Sequence, residues 1–164
     1  EGHAFTNACL VVPIKTRNRR LPGKNTRLLK GVPLYAYLFQ TLQEVNGEVG
    51  AIFVDSSDEE IRAIAETWGF LTLERPKQYD SDTTTGDDLL LRVVDQLAYD
   101  IIGLVHVTSP FLKADTIRTA IRLMTDDPAV DSVVGVTPRH NRFWFRGEPV
   151  NHDIRLFVDW QGLE

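Results

Sequence analysis

The chain has 164 residues, 43% of them hydrophobic, with 18 Lys or Arg against 23 Asp or Glu and a formal net charge of −5. That is enough for one domain with a proper core, and the acidic balance excludes a basic coat for nucleic acid. One cysteine gives neither a disulfide framework nor a zinc pattern, and no apolar run approaches the ~20 residues of a membrane span. No secretory leader is legible either, so a cytoplasmic domain is expected.

The first apolar run, residues 8–14 (ACLVVPI), reads as a buried strand with Cys9 as a small hydrophobe inside it. Residues 15–30 (KTRNRRLPGKNTRLLK) then carry seven Lys or Arg and no acid. A strand opening into such a loop can hold a polyphosphate, because fixed cations neutralise it while loop amides point inward. Lys15, Arg17, Arg19, Arg20, Lys24 and Asn25 are the candidates. The Pro22-Gly23 pair makes a turn that folds Lys24 back toward the strand end. The composition also suits a solvated basic loop, and neither GxxxxGK[ST] nor GxGxxG is present.

A helical pattern covers 33–45, with Pro33 suited to its first turn. A strand over 49–54 and a helix over 58–68 follow, the helix opened by a capping box of Ser57 and Glu60. At their junction, Asp55 and the acids at 58–60 suit capping and the positive helix end; a ligand role for Asp55 is the alternative.

The strand over 70–74 ends at Arg75, where a second phosphate clamp would be useful. Thr83, Thr84 and Thr85 open a helix over 85–99, where free amides and hydroxyls suit a base, ribose or phosphate. N-capping by one threonine is the competing account. Leu89, Val93 and Leu97 form the apolar stripe of this helix. The strand over 101–107 contains His106, read either as a core histidine or, at the carboxyl end, as a ligand contact; Thr108 follows it. A helix over 115–126 places Ile117, Ile121 and Met124 on one stripe, and 131–137 (DSVVGVT) reads as a last strand. Apolar strands alternating with amphipathic helices give a three-layer, Rossmann-like α/β fold: a mostly parallel sheet with helices on both faces. Ligands bind such sheets beyond the carboxyl ends of the strands, where each chemically loaded loop lies.

Several segments, in order, carry a family resemblance. Val12-Pro-Ile-Lys15, Arg19 and Leu21-Pro-Gly-Lys24-Asn25 align without a gap with (I/V)-P-A-R-G-G-S-K-G-I-P-x-K-N. Residues 54–61 (VDSSDEEI) are similar to VSTDDEEI, and 131–137 to ADSVVSVT. Arg75-Pro76, Asp82–Thr85 and Thr108-Ser-Pro110 fall where RP, DTAS and PTSP are expected. Over residues 8–152 the chain thus resembles the cytidylyltransferases that make CMP-activated sialic acids and related nonulosonic acids.

The resemblance implies a nucleotide-diphospho-sugar transferase type of fold. It also implies a reaction in which a sugar hydroxyl attacks the α-phosphate of CTP, releasing pyrophosphate and forming a CMP-sugar. By position, Lys15, Arg19 and Lys24 would be the catalytic residues on the triphosphate, with Lys24 stabilising α-phosphate charge. Asn25, Arg75, Thr83, Thr84 and Thr85 would help hold the nucleotide, and His106 and Thr108 the acceptor sugar. Mg²⁺ is the implied cofactor, with its ligands unassigned; Asp153 and Asp159 are the carboxylates considered. The implied partners are CTP, a small sugar acid and a second copy of the chain in a homodimer, with no nucleic acid and no membrane.

Lys15-Thr-Arg-Asn-Arg-Arg20 stands where the family has RGGSKG, so phosphate contacts through guanidinium groups are expected in place of those of glycine-rich amides. Members usually continue well past a point matching residue 164, so 1–164 is read as a single nucleotidyltransferase domain lacking the family's C-terminal part. The alternatives are a same-fold transferase for another nucleotide or sugar, and a nucleotide- or partner-binding module without turnover.

Overall fold

The computed structural model describes residues 5–16, 21–81, 83–137 and 143–151. The chain divides into two compact units, Glu1–Val133 and Val134–Glu164.

The first unit is built on β1 (Phe5–Pro13), whose side chains alternate between two cores. Ala8, Leu10 and Val12 join one cluster, while Cys9 and Val11 join the other. Beyond β1 come a short 3₁₀ turn (Lys24–Thr26) and a two-residue pair, β2 (Leu28–Leu29) with β3 (Val32–Pro33). Then follow α1 (Leu34–Gln43), β4 (Val49–Ser56), α2 (Glu59–Thr67), β5 (Leu71–Glu74) and a 3₁₀ turn (Lys77–Asp80). The unit ends with α3 (Gly86–Val94), β6 (Ile101–Leu104) and α4 (Ala114–Asp126).

The sheet order is β5-β4-β1-β6, and every pairing is parallel. Helices α1, α2 and α4 cover one face through Leu38, Phe39, Leu42, Ile61, Ile117 and Ile121. On the opposite face α3 inserts Val93 against Val11, with Phe53, Leu73 and Leu104 around it. This is the expected three-layer α/β arrangement, because strands buried on both faces must read as near-continuous apolar runs. Cys9 is wholly enclosed, and desolvation pushes its thiol up to about 11.

Register makes the strand ends coincide. Val12 pairs with Val54, Pro13 with Asp55 and Ser56 with Glu74, while Val11 pairs with Leu104. The ladder continues one step beyond each strand: Ile14 N donates to Asp55 O at 2.9 Å, Arg75 N to Ser56 O at 3.1 Å, and Val105 N to Val11 O at 2.9 Å. The loops after β1, β5 and β6 therefore leave from one edge.

Four local expectations change. Helix α2 is capped by Asp58, which accepts from Glu60 N at 3.0 Å, while Ser57 donates to Asp80 instead. Helix α3 stops at Val94, short of the expected 99, although Leu97 still packs with Val93. Residues 131–137 form no strand: Val134 and Val136 are 78% and 84% exposed, and β6 pairs only with β1 among the described residues. β-branched composition favours a strand only where a neighbouring strand and a buried face receive it. Pro33, expected inside the first turn, is the N-cap of α1 and pairs with Leu28. In the second unit β7 (Trp144–Phe145) and β8 (Glu148–Pro149) form an antiparallel pair around Arg146-Gly147.

The carboxyl end of β4 is fixed by a buried ionic group. Asp55 and Arg75 have side chains only 1% exposed, and Arg75 Nε donates to Asp55 Oδ2 at 2.9 Å. Arg75 Nη2 donates to the Asp55 carbonyl at 2.6 Å and Nη1 to Asp80 Oδ1 at 3.3 Å. Arg92, on α3, donates through Nη2 to the other Asp55 oxygen. The two arginines and two aspartates balance in charge, as burial requires.

Asp55→Ala should cost about 3–5 kcal/mol, since it strands two buried cations; urea unfolding checks this, and a loss within ~0.5 kcal/mol would make the pair a surface contact. Cys9 should resist a thiol reagent at pH 8 in the native chain and react at once in denaturant; rapid native labelling would contradict its enclosure.

Candidate functional site

At the shared edge of β1, β5 and β6 lies a cavity of about 200 Å³. Its lining comes from the last residue of β1, Pro13, and from three loops: Lys15, Lys24 and Asn25 after β1; Arg75, Tyr79, Ser81 and Thr84 after β5; His106, Val107 and Thr108 after β6. Leu89 of α3 completes it.

The basic loop reaches the cavity by a built turn. Gly23 adopts φ +65, a left-handed conformation that a side chain would strain. Lys24 N donates to Leu21 O at 3.2 Å, Thr26 N to Gly23 O at 3.0 Å and Arg27 N to Gly23 O at 2.9 Å. Asn25 is buried, and its Nδ2 donates to Lys15 O at 2.8 Å, tying the turn to the strand end. Lys15 and Lys24, nine positions apart in sequence, thereby line one cavity. Lys15 Nζ also donates to Ser81 O at 3.2 Å, joining the first and second loops. Among the described residues no ion pair engages Lys24.

Arg75 stands at the cavity with its guanidinium held by Asp55 and Asp80, so it presents a braced cation rather than a swinging clamp. Thr85 is the N-cap of α3 in a reciprocal capping box: Asp88 N donates to Thr85 Oγ1 at 3.1 Å, and Thr85 N donates to Asp88 Oδ2 at 2.8 Å. The bond from Thr85 N, and after it one from Thr85 Oγ1 to the same oxygen at 2.8 Å, hold the Asp88 carboxyl below its usual range. Thr85 and Thr83 lie outside the lining, with Thr83 in contact with Ser81 Oγ at 3.0 Å, whereas Thr84 faces the cavity. His106 lies two residues beyond the end of β6 and is exposed, which excludes a core histidine. Arg19 falls outside the described residues, as do Asp153 and Asp159.

The structure thus brings together Lys15, Lys24, Asn25, Arg75, Thr84, His106 and Thr108. Tyr79, Ser81 and Arg92 escaped sequence reasoning. Arg92 had one faint signal: a charged residue beside Val93 on the inward face of an amphipathic helix needs a buried partner. Among the described residues the lining contains two lysines and an arginine but no carboxylate. It suits an anionic, hydrogen-bonding ligand. No group of three or more His, Cys, Asp or Glu that could hold a metal ion occurs among the described residues. Among those residues, too, no helix is long and apolar enough to cross a membrane.

CMP-N,N'-diacetyllegionaminic acid synthase of Legionella pneumophila is 35% identical over 136 residues, covering 78% of this chain and 56% of the relative. N-acylneuraminate cytidylyltransferase A of Danio rerio is 29% identical over 128 residues, covering 77% of this chain and 29% of the relative. A 3-deoxy-manno-octulosonate cytidylyltransferase of Pelobacter propionicus is 27% identical over 124 residues, covering 76% and 47%. Among solved structures, CMP:2-keto-3-deoxy-manno-octonic acid synthetase complexed with CTP superposes with a TM-score of 0.64 at 24% identity, covering 75% of this chain and 49% of that one; it speaks for the fold. The chain spans between 29% and 56% of the length of these curated relatives. A sequence profile described as cytidylyltransferase matches residues 9–150, most of the chain, and the chain therefore belongs to the cytidylyltransferase family.

Proposed function

We propose that this chain is the nucleotide-binding part of an enzyme that transfers CMP from CTP to a nonulosonic acid of the sialic-acid kind, releasing pyrophosphate. The observation that carries the reading is the meeting of Lys15 and Lys24 with Arg75, Thr84 and His106 in one cavity at the carboxyl edge of a parallel sheet. The higher identity to the legionaminic acid synthase than to the octulosonate enzyme favours a nonulosonic acceptor.

In this reaction the acceptor hydroxyl oxygen forms a bond to the α-phosphorus, the bond to the β-phosphate oxygen breaks, and pyrophosphate carries away the electron pair. The hydroxyl proton passes to solvent. Such chemistry needs positioning and charge stabilisation rather than a covalent intermediate. Lys24, set by the Gly23 turn and unpaired with any acid among the described residues, would meet the negative charge that grows on the α-phosphate. Lys15 and the braced Arg75 would hold neighbouring phosphate oxygens, and Asn25 keeps the two lysines in register. Thr84 and Ser81 would hydrogen-bond the nucleoside, and His106 and Thr108 the acceptor. Among the described residues the lining offers no carboxylate to a divalent cation, so these residues do not form a site for Mg²⁺. The cavity is smaller than the roughly 300–1,000 Å³ that encloses a drug-sized ligand, so part of the nucleotide and the acceptor extend beyond it.

Pyrophosphate release with CTP and a nine-carbon sugar acid, compared with UTP, GTP and ATP and with an eight-carbon acid, tests the reading. Turnover with CTP and the nine-carbon acid is expected. Release with another nucleotide alone would reassign the base, and binding without release would make the chain a nucleotide-binding module. Lys24→Ala should lower turnover by roughly 10²–10³, as loss of one preorganised charge donor does, while Tm moves by less than ~2 °C. A parallel fall in melting temperature and turnover would remove Lys24 from the chemistry.

A further inference from the structure

The wall of the cavity formed by the second loop is held from behind. The 3₁₀ turn Lys77–Asp80 supplies Tyr79, which lines the cavity, and Asp80, which does not. Both are anchored on Asp55, each through a different arginine. Arg75 links Asp55 to Asp80, whose second oxygen also accepts from Ser57. Arg92 links Asp55 to Tyr79: its Nη2 bonds Asp55 Oδ1, and its guanidinium carbon stands 5.7 Å from the Tyr79 ring centroid.

Asp55 also receives Arg75 through its side chain and its carbonyl, so Arg92 completes the charge balance of the group through a single Nη2 bond. Its side chain is 8% exposed, and among the described residues its Nε finds no acceptor. A buried cation with an unmatched donor is poorly accounted for by its own hydrogen bonds. Its remaining contact is the face of Tyr79, where a desolvated cation–π interaction is strongest.

We propose that Arg92 is a positioning residue of the nucleotide cavity: clamped by Asp55, it fixes the Tyr79 ring and with it the wall formed by the second loop. This rests on reading the cavity as a nucleotide site. Arg92 itself touches no lining space, so its influence passes through Tyr79. The ring, held on one face by the guanidinium, offers the cavity a fixed aromatic surface.

Arg92→Met keeps length and burial while removing the charge; Tyr79→Leu removes the ring without touching Asp55. In the nucleotide-free chain, amide exchange over 76–84 should quicken on the order of fivefold in either variant, with β1 and β4 unchanged. Affinity for whichever of CTP, UTP, GTP and ATP the wild type binds most tightly should fall about tenfold in each variant and no further in the double variant. Unchanged exchange over 76–84, or roughly hundredfold additive losses in the double variant, would overturn the proposal. If Arg92→Met does not fold, Tyr79→Leu decides: normal exchange and normal affinity overturn it. Tightest binding of a nucleotide other than CTP would sink the cytidylyl reading while leaving the exchange result to judge Arg92. A wild type that binds none of the four would overturn both.

Discussion

The carboxylate of Asp55 is the constraint on which the site depends. It sits at the end of β4, beside Pro13 of β1, and is wholly buried. An ionised group there is tolerable only if its charge and lone pairs are met within the protein. Arg75 from the end of β5 and Arg92 from α3 meet them, and Asp80 restores the balance. Satisfying one buried charge therefore ties together a sheet edge, the only helix described on that face of the sheet, and the loop that walls the cavity.

The same edge receives the basic loop. Its lysines are held apart in sequence and brought together in space by a left-handed glycine and one buried asparagine. Positive charge in this acidic chain is thus concentrated where three strands end, which raises the local concentration of an anionic ligand without making the whole surface sticky for polyanions. The division of labour is plain in the arginines and lysines. Arg75 holds the frame through forked contacts that suit a guanidinium, Arg92 adds a single charged bond to Asp55, and the lysines are the compact charges left at the cavity.

Much of the fold was legible because it follows from local periodicity. The two-sided apolar run of β1, Val93 of α3, Ile117 and Ile121 of α4 and the turn at Pro22-Gly23 stand where their residues put them, while Leu89 lines the cavity instead of the core. The loops that carry the site could be ordered as well, since each follows a strand of a parallel sheet. What local pattern could not give was the pairing of distant charges. Asp55 lies 20 positions from Arg75 and 37 from Arg92, and its neighbours equally suit a helix N-terminus. Arg75 accordingly looks like a free clamp in sequence and is a braced one in the fold. Thr85 and its two neighbours look alike as hydroxyls, and only the helix start decides that Thr85 caps while Thr84 faces the cavity. Residues 131–137 have strand composition without a strand to receive them.

Membership of the cytidylyltransferase family and the cavity's chemistry point the same way, although the chain covers only part of its relatives' length. The central claim is that the described edge is by itself a cytidine triphosphate site. Thermal unfolding of the wild-type chain with CTP, UTP, GTP or ATP tests it directly. A ligand at a hundred times its dissociation constant adds about 2.7 kcal/mol, a rise of several degrees for a chain of this size. The account predicts such a rise with CTP and a clearly smaller one with the other three. Equal rises with all four would contradict the base assignment, and no rise with any would show that this edge does not hold a nucleotide.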